Sequence, residues 1–225
     1  MLCKWQFANK VNLLDKAKEI MKKVLLINTH LTYPNWTEGK LNDTFIQIAK
    51  SFFEARNYEV LETKVESGYN PDEEVEKHLQ ADIVILQTPV NWFGAPWIYK
   101  KYVDEVFNSG LFSKSFLTGD GRTKEDPTKQ YGTGGLLQGK KFMICATWNA
   151  PAEAFDNPDQ KLFAGKGLTD IFLPITSNYR FCGYDIVDSY NCFDIFRRSD
   201  IVKDLENYPT HLTNALNLQQ KLQTA

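Results

Sequence analysis

The sequence predicts a doubly wound α/β fold: a five-stranded parallel sheet with helices on both faces. Three observations predict it. Short, uninterrupted apolar runs such as Lys23-Val-Leu-Leu-Ile-Asn28 and Ile83-Val-Ile-Leu86 read as strands buried on both faces, as in parallel sheets. Segments with one apolar face at helical spacing alternate with them, and that order implies right-handed crossovers. Polar loops rich in aromatic residues follow several strands, at the carboxyl ends where open α/β sheets bind ligands.

The first strand spans Lys23–Asn28 and leads into the polar, aromatic loop Thr29–Gly39. Leu41, Phe45, Ile48, Ala49 and Phe52 then recur at helical spacing, with Thr37 as candidate N-cap. Asn57 ends this helix and Tyr58–Val65 reads as the second strand. Gly68-Tyr-Asn-Pro71 is a turn, and Pro71 opens a charged helix through Leu79. The third strand, Asp82–Thr88, precedes the loop Pro89–Trp97 and a helix over Ile98–Asn108, with Pro96 at its first helical position. A long irregular connection, Gly110–Gly139, reaches the fourth strand, Lys140–Thr147. Connections of that length are usually functional or disordered. Residues 153–165 read as a helix or lid, Leu168–Tyr179 as a helix containing Pro174, and Tyr184–Phe193 as a weak fifth strand. A helical tail starts at Ser199, broken or restarted at Pro209, and carries Leu212, Ala215, Leu216 and Leu222. One domain over 21–225 preceded by an extension over 1–20, with a short amphipathic helix at 12–20 and a natural start at Met21, is the simplest division.

Composition narrows the function. Lys plus Arg number 26 against 28 Asp plus Glu, a net charge of −2, which argues against a dedicated nucleic-acid binder. No apolar run has the length to span a bilayer, and the first residues lack the apolar core of a secretory signal. The four cysteines, Cys3, Cys145, Cys182 and Cys192, form no C-x-x-C pair and have no neighbouring histidine, so zinc is not expected. Cys182 and Cys192 have the option of pairing, but reduced thiols in a cytoplasm fit better. His30 follows the first strand, yet a lone loop histidine reads as solvated. His78 and His211 read as structural or exposed, and Asp72–Lys77 as a solvated helix face.

The chemistry lies in three loops, after strands one, three and four. The first leads into a helix whose free N–H groups favour an anion, especially phosphate. The second carries Asn91, Trp92, Phe93 and Trp97, and the third Thr147-Trp-Asn-Ala150. A phosphate seat beside two aromatic loops suits a flavin or a nucleotide. Neither G-x-G-x-x-G nor G-x-x-x-x-G-K-[ST] occurs, which argues against a dinucleotide fingerprint and against ATP hydrolysis. Trp97 reads as a core residue, since aromatics are more often buried than bound to ligands. Asp120 and Arg122 read as a pair within the long loop.

Five motifs in one order carry a resemblance: Gly39-Lys-Leu-Asn-Asp-Thr44, Trp92-Phe-Gly-Ala-Pro-Trp97, Asp120-Gly-Arg122, Tyr131-Gly-Thr-Gly-Gly135 and Thr147-Trp-Asn-Ala-Pro-Ala-Glu153. From about Lys23 to about Leu216 the chain resembles the MdaB-type NADPH:quinone reductases, which are flavodoxin-like proteins. It departs from that pattern in its first twenty residues and around Thr29–Trp36.

The resemblance implies a homodimer that binds FAD and reduces quinones with NADPH or NADH by a two-electron, ping-pong hydride transfer. The flavin N5 would carry the hydride, with no catalytic side chain. Thr37, Glu38, Gly39, Lys40, Leu41, Asn42, Asp43 and Thr44 would hold the pyrophosphate and adenosine side. Val90, Asn91, Trp92 and Phe93 would line the isoalloxazine, and Thr147, Trp148, Asn149 and Ala150 its pyrimidine side. Tyr131 would complete the site, from its own or a neighbouring subunit. Trp92, Phe93, Tyr131 and Trp148 would build an apolar slot for flat rings. The alternatives are an FMN-dependent azo- or nitro-reductase and a non-catalytic flavodoxin-like electron carrier.

Overall fold

A computed structural model describes residues 21–218. The extension over 1–20, its helix at 12–20 and Leu222 lie outside the described residues. Strands β1 (Lys23–Asn28), β2 (Glu59–Lys64), β3 (Ile83–Pro89), β4 (Lys141–Thr147) and β5 (Asp185–Ile186) form a parallel sheet in the order β2-β1-β3-β4-β5. A sixth strand, β6 (Tyr190–Cys192), also pairs with β4. The expected fifth strand is therefore split along one edge of β4. Asp185–Ile186 lie beside Lys141–Phe142, and Tyr190–Cys192 beside Cys145–Thr147. Between them the Asp188 carbonyl accepts a hydrogen bond from His211 Nε2 at 3.0 Å.

Each strand alternates its side chains between two cores. Leu25, Ile27, Val84, Leu86, Phe142 and Ile144 face helices α2 (Pro71–Gln80), α3 (Trp97–Phe112) and α5 (Leu173–Cys182). Val24, Leu26, Ile83, Ile85, Met143 and Cys145 face α1 (Lys40–Glu54) and α6 (Ile201–Ala215). A short helix, α4 (Leu168–Ile171), precedes α5. Burial of apolar surface on both faces is the main stabilising term of such a sheet. Cys182 and Cys192 are free and lie in opposite cores, so they do not pair.

Several elements differ from the sequence reading. Thr37 does not cap α1; Gly39 stands at that position in left-handed backbone, φ 77°. Pro96 is the N-cap of α3 rather than its first residue, and the helix continues to Phe112, which shortens the irregular connection. The segment 168–179 breaks at Phe172, which places Pro174 in the first turn of α5, where its missing N–H costs nothing. Helix α6 runs through Pro209 without a break, anchored on either side by the buried Tyr208 and Leu212.

The charged face of α2 is not wholly solvated. Glu74 is buried and accepts hydrogen bonds from Thr63 Oγ1 at 2.8 Å, Tyr102 Oη at 2.9 Å and Lys77 Nζ at 2.6 Å. His78 is fully buried one turn on, between the hydroxyls of Tyr184 at 2.8 Å and Tyr102 at 3.1 Å. Burial, helped by Lys140 and Lys77, pushes its pKa down to about 3, so the ring is neutral. Among the described residues no helix is long and apolar enough to cross a membrane, and no cluster of side chains suits a metal ion.

Candidate flavin site at the strand ends

The sheet order sets the carboxyl ends of β1, β3 and β4 side by side, and the three loops meet there. The first is held by a buried histidine. His30 is 1% exposed, contrary to the solvated placement read from sequence, and its Nε2 lies 3.0 Å from Thr37 Oγ1. Burial lowers its pKa, opposed by the Glu66 and Asp43 carboxylates. Gly39 packs so tightly on this ring that an added Cβ would lie 2.5 Å from Nδ1.

The start of α1 is bolted to the sheet. Gln87 Nε2 donates to Asn42 Oδ1 at 2.8 Å, and Asn28 Nδ2 donates to Asp43 Oδ1 at 2.8 Å. Thr44 Oγ1 turns back to the Lys40 carbonyl, while Glu38 and Lys40 pair in solvent at 2.6 Å. No side chain caps α1, so its first-turn N–H groups suit an anion. A cleft of about 540 Å³ opens beside them, lined by Asn35–Asn42 together with Ile195, Phe196 and Ile201. Trp36 and Phe196 are exposed there, at 64% and 67%.

The second loop makes a tight reversal. Asn91 N donates to the Gly94 carbonyl at 2.8 Å and Gly94 N to the Asn91 carbonyl at 3.2 Å. The two central residues, Trp92 and Phe93, both have positive φ, 49° and 67°. That signature usually belongs to Asn-Gly, and a bulky residue there is strained by roughly 1–2 kcal/mol. Both rings project into solvent, Trp92 at 92% and Phe93 at 49% exposure, and Trp97 is 62% exposed rather than core. Val90 ties this loop to the third, donating to the Thr147 carbonyl at 2.9 Å.

In the third loop Trp148 is buried, with Nε1 donating to Asn191 Oδ1 at 2.9 Å. It supports the loop from beneath and is no wall of a slot; burial wins because the ring packs on Phe155, Phe172 and Phe193. Asn149 is exposed and Ala150 half-buried. Two polar atoms stay unpartnered beneath the loops, Gln87 Oε1 and Thr147 Oγ1, both buried. Buried polar groups are seldom left so, and these suit the hydroxyls of a sugar-like chain. Gln87 escaped the sequence reading, although a polar residue ending the run Ile83–Leu86 was its signal.

Tyr131 is not brought to these loops by its described contacts. Its exposed ring lies 5.5 Å from that of Phe181 and 5.3 Å from the Arg122 guanidinium, which pairs with Asp120 as expected.

The chain matches a family model for the flavodoxin-like fold over residues 22–212. It belongs to the flavodoxin-like family. Within that family it is 39% identical over 176 residues to the NADPH:quinone oxidoreductase MdaB of Haemophilus influenzae, covering 78% of this chain and 90% of the relative. A Klebsiella pneumoniae structure described as a quinone reductase shares the flavodoxin-like fold with a TM-score of 0.69 at 21% identity, covering 86% of this chain and 84% of the other. The general stress protein 14 of Treponema denticola, solved with FMN, superposes with a TM-score of 0.58 at 17% identity over 88% of this chain and 99% of its own.

Proposed function

We propose that this chain is a flavin-dependent NAD(P)H:quinone oxidoreductase that holds FAD, takes NADPH by preference and works as a homodimer. Residues 21–225 are read as one FAD-binding domain following an extension over 1–20, and the free cysteines suit a cytoplasmic setting. The observation that carries the reading is the union of an uncapped α1 N-terminus and its cleft with two strained, solvent-facing rings at the same end of the sheet. The activity follows the likeness to the Haemophilus influenzae relative.

The residues present fit such a cofactor. The N–H groups of Lys40, Leu41 and Asn42 seat the pyrophosphate, flanked by Thr37, Glu38, Gly39, Asp43 and Thr44. Gln87 and Thr147 supply the buried polar atoms for a ribityl chain. Val90, Asn91, Trp92 and Phe93 border one side of the ring, and Thr147, Asn149 and Ala150 the other, with Trp148 beneath. Tyr131, whose ring contacts are with Phe181 and Arg122 rather than with these loops, serves the partner subunit. The cleft by Trp36 and Phe196 has room for an adenosine end, and that favours FAD over the FMN seen in the Treponema denticola protein.

A bound flavin supplies the reversible hydride chemistry. The protein's own work is to hold flat donors and acceptors in turn against one place, the exposed rings of Trp92 and Phe93, and to keep the polar seat beneath fixed through Gln87–Asn42 and Asn28–Asp43. A single place used in turn gives ping-pong kinetics. No side chain at the strand ends is required as nucleophile or acid.

The test is the visible spectrum of the purified protein, before and after NADPH without oxygen and then after a quinone. A yellow protein that bleaches and recovers, and releases FAD on denaturation, is the expected result. A protein that stays colourless after incubation with FAD or FMN overturns the reading; released FMN overturns the adenosine assignment alone.

A further inference from the structure

The segment 153–165, read from sequence as a helix or lid, leaves a 3-10 turn at Ala152–Ala154 and becomes a closed loop over 155–167, to which the proposed function gives no part. Its ends are tied together. Asp156 N donates to the Lys166 carbonyl at 3.1 Å, and Gly165 N to the Asn157 carbonyl at 3.1 Å. An added Cβ at Gly167 would lie 2.1 Å from Asp156 Oδ1, so the closure admits no larger residue without movement. Asp156 and Ala164 have positive φ, a conformation that residues other than glycine hold only where surroundings impose it.

The loop is joined to both ring-binding loops by a train of aromatic contacts. Trp148, in the third loop, meets Phe155 at 4.9 Å; Phe155 stacks on Phe163 at 4.8 Å and 18°; Phe163 meets Phe93 edge to face at 5.7 Å and 87°. Among the described residues, Phe163 is the only ring that Phe93 contacts. Phe93 is half exposed, Phe163 half-buried and Phe155 buried. Phe163 is thus the half-buried ring next to Phe93 in the train, beside the surface that Trp92 and Phe93 present.

We propose that Phe163 is a specificity-determining residue, the side wall that a two-ring acceptor touches and a one-ring acceptor does not reach. This rests on the quinone reductase reading above. A flat ring laid against Phe93 grows toward Phe163 as its second ring is added, and an edge-to-face or offset contact there is favourable. No chemical step is assigned to Phe163.

The test compares full-length wild type with Phe163→Ala and Phe163→Leu, using 1,4-benzoquinone and 2-methyl-1,4-naphthoquinone as probes. Bound flavin, the urea midpoint and the dissociation constant of the naphthoquinone from the oxidised protein are measured alongside. The expected result is a loss of about fivefold in the naphthoquinone-to-benzoquinone ratio of kcat/KM in Phe163→Ala, the equivalent of one aromatic contact. The loss falls in KM and in the dissociation constant, and Phe163→Leu lies between. A ratio unchanged in both variants overturns the inference, as does an equal fall for both quinones that tracks flavin loss. A wild type that reduces neither quinone counts against the proposed function itself.

Discussion

His30 fills the space that a side chain at Gly39 would need, and the two residues together fix the turn into α1. Alanine at position 39 would meet the His30 ring and would also have to hold φ 77°. We expect Gly39→Ala to lose about 2 kcal/mol in urea unfolding and to lower flavin retention on a desalting column. Wild-type retention would show that the turn tolerates displacement of His30.

Acid should act on this protein through His78. Its folded pKa, near 3, lies below the ordinary value of 6.5. The unfolded chain therefore binds the extra proton first, and the stabilising contribution is present above pH 6.5 and lost as pH falls toward 3. The slope approaches 1.4 kcal/mol per pH unit in that window. In His78→Gln the stability between pH 6.5 and 5, where few carboxylates titrate, should change by about 1.6 kcal/mol less than in wild type. Parallel curves for the two proteins would place the acid sensitivity elsewhere.

Glu74 should be among the costliest positions in the chain to truncate. Its carboxylate is buried and gathers Thr63, Lys77 and Tyr102. Glu74→Ala leaves the Lys77 charge and the Thr63 hydroxyl without that partner, and a loss of about 3 kcal/mol is expected. Calorimetry or urea unfolding measures it; a loss under about 0.5 kcal/mol would mean water replaces the carboxylate.

Trp92 should behave in the opposite way. With 92% of its surface exposed, Trp92→Ala should leave stability within about 0.5 kcal/mol while weakening flavin or quinone binding by roughly tenfold, the value of a good aromatic contact. Unchanged flavin content together with unchanged steady-state kinetics would contradict this.

Phe196 should separate the two cofactors. Phe196→Ala, tested by titrating flavin-free protein with FAD and with FMN, should weaken FAD about tenfold and leave FMN unaffected. Equal effects on both would place the adenosine end outside the cleft beside α1.

The sheet was legible in sequence because parallel strands are buried on both faces and leave continuous apolar runs, as Lys23–Asn28 and Ile83–Leu86 do. The fifth strand was blurred because its two halves are short and separated by Val187–Ser189, where the Asp188 carbonyl turns to His211. The loops that meet at the candidate site were legible from their place after strands, and Trp92 and Phe93 from their crowding there. What sequence concealed was long-range packing. Nothing local indicates that His30 is buried under Gly39, that Trp148 points inward while Trp97 points out, or that Glu74 is drawn from a charged helix face to Tyr102. Phe163 reaches Phe93 and Phe196 reaches the cleft beside α1 from 70 or more residues beyond Trp92, a distance that periodicity does not span.

On the proposed function, the positive φ angles of Trp92 and Phe93 set heat tolerance and activity against each other. Glycine at either position would relieve the backbone, so a variant library sorted only for survival on heating should accumulate Trp92→Gly and Phe93→Gly. The winners of that selection would be sturdier proteins that had shed the two exposed rings proposed to meet the flavin and the quinone. Directed evolution of this chain for durability therefore has to screen turnover in the same round, or hold residues 92 and 93 fixed.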